Sequence, residues 1–239
     1  MPVDLLFARA RNNDVAVLRY SPRRPRGVTI VAGHGYSSSK HNLDPLCSFL
    51  SSQGFGVFSL DFPGHKLGAS GGKLRGIEDC VDAMSAVVDM AGTIDDQPTY
   101  LLGHSMGAMT AIFTAAAKPE IDGVVAIATG YGRPSALAAL RAAGATDFRS
   151  SYVDGVDLSA LVADVESWYA RDLPKLAGRP CLYIAASRDA MVSPKSVHDL
   201  YERAPEPKTF ATIESDHTYA AEHARGEVLQ WLNALHPRA

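Results

Sequence analysis

Apolar residues along this chain fall into short runs separated by longer stretches of helical period. The runs are Val28 to Ala32, ending at Gly33; Phe55 to Leu60, closing at Asp61; Thr99 to Leu102, entering Gly103; Val124 to Ala128; Cys181 to Ala185; and Thr209 to Ile213. Each has the length of a strand, and near-continuous apolar character marks strands buried on both faces. Between them, periodicity and stop signals predict helices around 42–52, 76–91, 106–117, 194–203 and 220–235, with Gly54 and Pro119 as breakers. Two earlier strands, 4–10 and 14–20, flank Asn12-Asn13, a hairpin signal. Short buried strands alternating with helices imply an α/β fold: a mostly parallel central sheet with helices on both faces. In such sheets chemistry gathers at the carboxyl ends of the strands.

One interval breaks the rhythm. Roughly 50 residues separate the strand ending near Ala128 from the one opening at Cys181, more than an ordinary connection needs. It holds helix-like pieces at 134–143 and 158–170. We read 133–178 as a small helical lid inserted into a core made of 1–132 and 179–239.

Composition narrows the picture further. The 239 residues are 46% hydrophobic, and the formal net charge is −3 from 23 basic and 26 acidic residues. So mild a balance gives no push towards nucleic acid or a charged membrane surface. The basic run Pro22 to Arg26 reads as a solvated turn, because prolines punctuate it. Cys47, Cys80 and Cys181 are too few and too scattered for a disulfide framework or a zinc site, and Cys181 reads as a buried small hydrophobe. No secretory signal opens the chain, and no apolar run approaches the ~18 residues of a membrane span. A reduced, cytoplasmic setting is the default expectation.

The candidate chemistry centres on Gly103-His104-Ser105-Met106-Gly107. A strand enters this G-x-S-x-G segment and a helix leaves it, the setting of a nucleophile elbow. The serine sits in strained backbone there, and side chains at the flanking glycines would collide. A serine hydroxyl needs a base. Of eight histidines, His217 follows the last strand and precedes the last helix, at the carboxyl edge of the sheet. His198, His223 and His236 fall on or after helices. The base needs an acid to fix its tautomer. Asp189 leaves the strand 181–185, whereas its rival Asp216 adjoins the base in sequence and Asp199 lies on a helix. Oxyanion donors are expected from the backbone N–H groups of Met106 and Tyr36, with Gly35 allowing close approach and His34 bracing that loop.

At this point the chain resembles the α/β-hydrolase superfamily over nearly its whole length. Gly33-His34-Gly35, Asp61-Phe62-Pro63-Gly64-His65, Gly103 to Gly107, Asp189 and His217 carry the resemblance. Within it, the chain is similar to the small-lid esterase, monoacylglycerol lipase and cinnamoyl esterase-like branches. It departs from the family's D-x-x-G-H-G-x-S turn: Lys66 replaces the glycine, and extra residues precede Ser70.

The resulting expectation is a serine hydrolase that cleaves a carboxylic ester through an acyl-enzyme, with no cofactor and no metal. Tyr131, Tyr152, Trp168 and Met191 are expected along the substrate pocket. Acyl-thioester hydrolysis is the second reading. C–C bond hydrolysis and cofactor-free peroxidase chemistry are further options on the same triad, and a ligand-binding receptor on the scaffold is the non-enzyme alternative. Nucleotide motifs fail on spacing: Gly33-x-Gly35, Gly54-x-Gly56 and Gly130-x-Gly132 lack the third glycine, and Leu74 follows Lys73 where a Walker motif needs Ser or Thr. No H-E-x-x-H occurs. The implied partner is a small-molecule ester or thioester.

Overall fold

The computed structural model describes residues 2–11, 13–132 and 149–238. The expected helix at 134–143 and the first residue of the Asn12-Asn13 turn lie outside them. Eight strands form one sheet: β1 (Val3–Ala10), β2 (Asn13–Tyr20), β3 (Thr29–Gly33), β4 (Gly56–Leu60), β5 (Thr99–His104), β6 (Gly123–Ile127), β7 (Cys181–Ala186) and β8 (Lys208–Ile213). Their order is β1-β2-β4-β3-β5-β6-β7-β8. The β1–β2 and β2–β4 pairings are antiparallel, and all from β4 through β3 to β8 are parallel. The mostly parallel sheet is therefore as the apolar runs imply, with an antiparallel hairpin at one edge.

Successive residues of the central strands point to opposite faces, and both faces are dry. On one side Val31, Phe58, Leu101 and Val124 pack under α2 (Ile77–Ile94) and α3 (Met106–Ala117). On the other, Ile30, Val57, Leu102 and Val125 pack with Leu46 and Leu50 of α1 (Asp44–Ser52). α3 carries mostly small side chains because it runs against the sheet centre, buried from Met106 through Ala115.

The 158–170 helix is corrected to two pieces, α4 (Leu158–Leu161) and α5 (Val165–Asp172). Asp157 caps the first by accepting the Ala160 N–H at 2.8 Å, and Asp164 leaves helical geometry at φ −109°, ψ 17°. After β7 comes α6 (Pro194–Arg203). The final helix likewise divides, into α7 (Ala220–His223) and α8 (Arg225–Leu235). No described helix is long and apolar enough to cross a membrane.

The loop after β4 fastens the stretch that leads into α4. Asp154 N–H donates to Gly64 O at 2.8 Å, Leu74 N–H to Asp154 O at 2.9 Å, and Val156 N–H to Leu74 O at 2.8 Å. Lys66, which stands in place of the family's glycine, donates its N–H to Tyr152 O at 2.9 Å and its Nζ to Ser151 O at 2.7 Å. Despite the extra residues, the Ser70 hydroxyl reaches back to Asp61 O at 2.7 Å and accepts the Ala16 N–H at 2.8 Å.

Candidate active site

Ser105 sits between the last residue of β5 and the first of α3, at φ 54° and ψ −117°. A non-glycine residue holds that conformation only where its surroundings force it. The forcing is visible at the neighbouring glycines. A Cβ on Gly103 would run into the backbone of Gly107, and one on Gly107 into the carbonyl of Gly33. The turn therefore closes only with glycine at both positions, and it lifts the serine side chain clear of the sheet.

Three loops at the carboxyl ends of the strands converge there. The Ser105 hydroxyl donates to His217 Nε2 at 3.0 Å. His217 Nδ1–H donates to Asp189 Oδ2 at 2.7 Å. Since a carboxylate only accepts, the imidazole proton is on Nδ1, leaving the Nε2 lone pair for the serine. The Asp189 side chain is fully buried, and its second oxygen accepts the N–H groups of Met191 and Val192, each at 2.8 Å. Asp216 is occupied otherwise, accepting the N–H groups of Thr218 and Tyr219 at 2.9 and 3.1 Å. The three rival histidines late in the chain are also engaged away from Ser105: His223 with Ser215, His236 with Tyr100, His198 with Glu202.

The loop after β3 is braced from beneath. His34 is completely buried. Its Nε2 accepts the Phe62 N–H at 3.0 Å, and its Nδ1–H donates to Gly35 O at 2.8 Å. Burial, then the neighbouring His65, pushes its pKa down to about 3, so it stays neutral. Lys40, 2% exposed, closes the loop with a buried ion pair: its Nζ lies 2.5 Å from Asp61 Oδ2 and its N–H 2.7 Å from Oδ1. Burial alone would raise the Asp61 pKa, but the Lys40 hydrogen bonds outweigh it and hold the carboxyl below its usual range. Tyr36 is anchored by its hydroxyl, which donates to Val156 O at 3.0 Å. Gly35 passes so near the elbow that a Cβ would lie 3.2 Å from His104 Nδ1. Met106 opens α3, where first-turn amides lack an intrahelical acceptor.

Ser105 and His217 border two pockets. One is apolar and is walled by Met106, Met109, Leu158, Val162, Val165 and Met191. The other is polar and includes Tyr36, Ser37, Asn42 and Arg149. Of the four residues expected along the substrate pocket, Met191 borders the apolar pocket, and the other three border neither of the two. The Tyr131 ring lies under the Arg203 guanidinium, 4.0 Å from its centroid. Trp168 stands edge-on to Phe113 with ring centroids 6.0 Å apart. Tyr152 borders neither pocket, its backbone carbonyl being held by Lys66. Aromatic character was a poor guide here. The apolar wall residues Leu158, Val162 and Val165 come from α4, the residue after it and α5, on both sides of the helix break, so no single helical period marked them in the sequence.

A strand-turn-helix serine in line with a histidine and a buried aspartate, on this mixed eight-stranded sheet, defines an α/β-hydrolase. The chain belongs to the family described as serine aminopeptidase, S33, whose model matches residues 23–167. It is 35% identical over 101 residues to a monoglyceride lipase homologue of monkeypox virus, covering 41% of this chain and 36% of that protein. It is 32% identical over 105 residues to the phospholipase YtpA of Bacillus subtilis (strain 168), covering 43% and 40%. These matches thus span well under half of either relative. Among solved structures, Est1E of Butyrivibrio proteoclasticus with ferulic acid bound superposes with a TM-score of 0.72 at 16% identity, covering 96% of this chain and 97% of that one. The Pyrococcus furiosus esterase Pf2001 gives 0.72 at 20% identity, covering 98% and 88%. At such identities these two likenesses speak for the fold.

Proposed function

We propose that the protein is a carboxylic ester hydrolase working through an acyl-enzyme on Ser105. The observation that carries this is the continuous hydrogen-bonded line from Ser105 through His217 to Asp189, 3.0 and 2.7 Å per link, opening on an apolar cavity. His217 Nε2 takes the hydroxyl proton as Ser105 Oγ attacks the acyl carbonyl. Asp189 stabilises the imidazolium that forms. The N–H groups of Tyr36 and Met106 receive the oxyanion. His217 then protonates the leaving alcohol, and a water activated by the same nitrogen releases the acid. The acyl chain occupies the pocket of Met109, Leu158, Val162 and Val165, with the insertion at 133–178 acting as its lid. The names of the lipase and phospholipase relatives support an acyl ester as the substrate class.

A fluorophosphonate probe followed by an acyl panel tests the reading. Covalent labelling at Ser105, together with turnover of nitrophenyl esters above that of matched thioesters and amino-acyl amides, is the expected result. Folded protein that fails to label at Ser105 overturns it. Faster turnover of thioesters or amides moves the substrate class instead.

A further inference from the structure

The two pockets that meet at Ser105 differ in chemistry as well as position. The first offers thioether and aliphatic side chains. The second offers the hydroxyls of Ser37, Ser38 and Thr218, the amide of Asn42, the His104 ring and the guanidinium of Arg149. Among the described residues, no carboxylate lines this second pocket. Arg149 is exposed and reaches Ser37 Oγ at 3.5 Å. Its charge is also felt at the His104 ring beside the triad. An acyl chain fills the apolar pocket, so the alcohol half of the ester falls to the polar one. A neutral polyol can be held by the hydroxyl and amide partners, and the guanidinium would give it only ordinary hydrogen bonds, leaving the positive charge unused. A planar, weakly hydrated cation with forked N–H donors suits a phosphate or a carboxylate. A concave site also focuses its field on an approaching anion.

We propose that the preferred substrates are esters whose alcohol carries an anionic group, a phosphate or a carboxylate, a few bonds from the ester oxygen, and that Arg149 binds that group. This rests on the ester hydrolase reading above. Ser105 Oγ displaces the alcohol from the acyl carbon, forming the acyl-enzyme, and water then cleaves the acyl–Oγ bond and restores the Ser105 hydroxyl. The anionic alcohol leaves carrying the proton that His217 supplies, and the water's oxygen ends in the released acid.

The test compares octanoyl esters of glycerol, glycerol 3-phosphate and 3-hydroxypropanoate on the full chain, with Arg149→Ala and Arg149→Lys alongside. The expected result is a kcat/KM at least about tenfold higher on one or both anionic esters than on the glycerol ester, equivalent to about 1.4 kcal/mol. The phosphate and carboxylate arms show which anion is taken. The preference shrinks as salt rises, because the Arg149 side is open to solvent. It falls to near unity in Arg149→Ala and survives in part in Arg149→Lys. Equal rates on all three esters in the parent protein, or a preference that persists in Arg149→Ala or is blind to salt, overturns the proposal. The salt series needs no variant, so it decides even if a substitution fails to fold. Fluorophosphonate labelling of Ser105 separates the two levels of failure. Labelling without an anion preference sinks this proposal alone. Absence of both labelling and turnover sinks the hydrolase reading, and this proposal with it.

Discussion

The ring of His104 donates its Nε2–H to the main-chain carbonyl of His217 at 2.8 Å. The residue beside the nucleophile thereby holds the backbone of the base, across 113 positions of sequence. Burial first, and the neighbouring His217 second, push its pKa down to about 3. The ring therefore carries a single proton, committed to this bond. Replacing His104 with alanine keeps all three triad side chains but frees the His217 backbone to shift. Misplacement of a reacting group by ~1 Å costs about a hundredfold in rate, so kcat on a neutral nitrophenyl ester is expected to fall by ten- to a hundredfold on that scale. His104→Gln restores a donor and part of the rate. Steady-state kinetics of the two variants checks this, and equal losses in both contradict it.

Asp189 fixes the tautomer of His217, and the carboxylate has no substitute there. In Asp189→Asn the amide offers the ring a donor as readily as an acceptor, so the wrong nitrogen can hold the proton. On the scale known for such triads, kcat drops by about 10⁴ while the fold persists. Circular dichroism alongside kcat measurements distinguishes this from unfolding. Ser105→Ala goes further and abolishes fluorophosphonate labelling.

The apolar cavity predicts a dependence on acyl length. Val162, 7% exposed, is part of its wall. A tryptophan at 162 fills the space that a long acyl chain needs and spares an acetyl group. The ratio of kcat/KM for octanoyl over acetyl nitrophenyl ester is expected to fall at least about tenfold, since each methylene accommodated is worth ~1–3 kcal/mol. An unchanged ratio places the acyl chain elsewhere.

Acid should loosen the protein well before its carboxylates titrate. His34 and His104 are held at about 3 when folded, against 6.5 for an ordinary imidazole. Above pH 6.5 both states are neutral and there is no effect. As pH falls from 6.5 towards 3, the unfolded chain binds protons that the folded chain refuses, so stability declines. The slope is about 1.4 kcal/mol per pH unit for each group in the middle of that window. Asp61, with its carboxyl held low by Lys40, adds a further loss only below its ordinary range. Urea unfolding at pH 7, 6, 5 and 4 measures the slope, and a flat profile contradicts it.

The Lys40–Asp61 pair gives a separate stability test. Lys40→Met leaves a carboxylate buried without its counter-charge, which costs about 3–5 kcal/mol. The double substitution Lys40→Met with Asp61→Asn removes both charges and recovers part of the loss. Urea titration of the two variants decides whether the pair acts as a unit.

How far the sequence reached depended on whether the determinant was local. The β5–Ser105–α3 elbow was legible because its five-residue pattern is local, with Gly103 answering a collision with Gly107, even though Gly107 itself makes room for the distant Gly33 carbonyl. The strands β3 to β7 were legible because burial on both faces makes their apolar runs continuous. Asp189 and His217 could be named because each leaves the carboxyl end of a strand, where side chains converge. The Lys40–Asp61 pair was not legible, since a lysine in a polar loop carries no mark of burial. Nor was the His104–His217 tie, which joins a side chain to a carbonyl far along the chain. Tyr131 and Trp168 misled because aromatic rings pack wherever a flat surface is offered, and here those surfaces belong to Arg203 and Phe113.

The fastening between the loop after β4 and residues 150–156 is made largely of main-chain atoms. Amides and carbonyls are present whatever side chains the codons specify, and side chains add Lys66 Nζ on Ser151 O and an exposed Lys73–Asp154 ion pair at 3.4 Å. The wall residues Leu158, Val162 and Val165 therefore hang from a backbone fastening whose strictest side-chain demands fall at Gly64 and Gly155, where a Cβ would collide with the facing main chain. Drift or directed evolution can recut this apolar pocket residue by residue while its main-chain attachment to the loop after β4 is inherited.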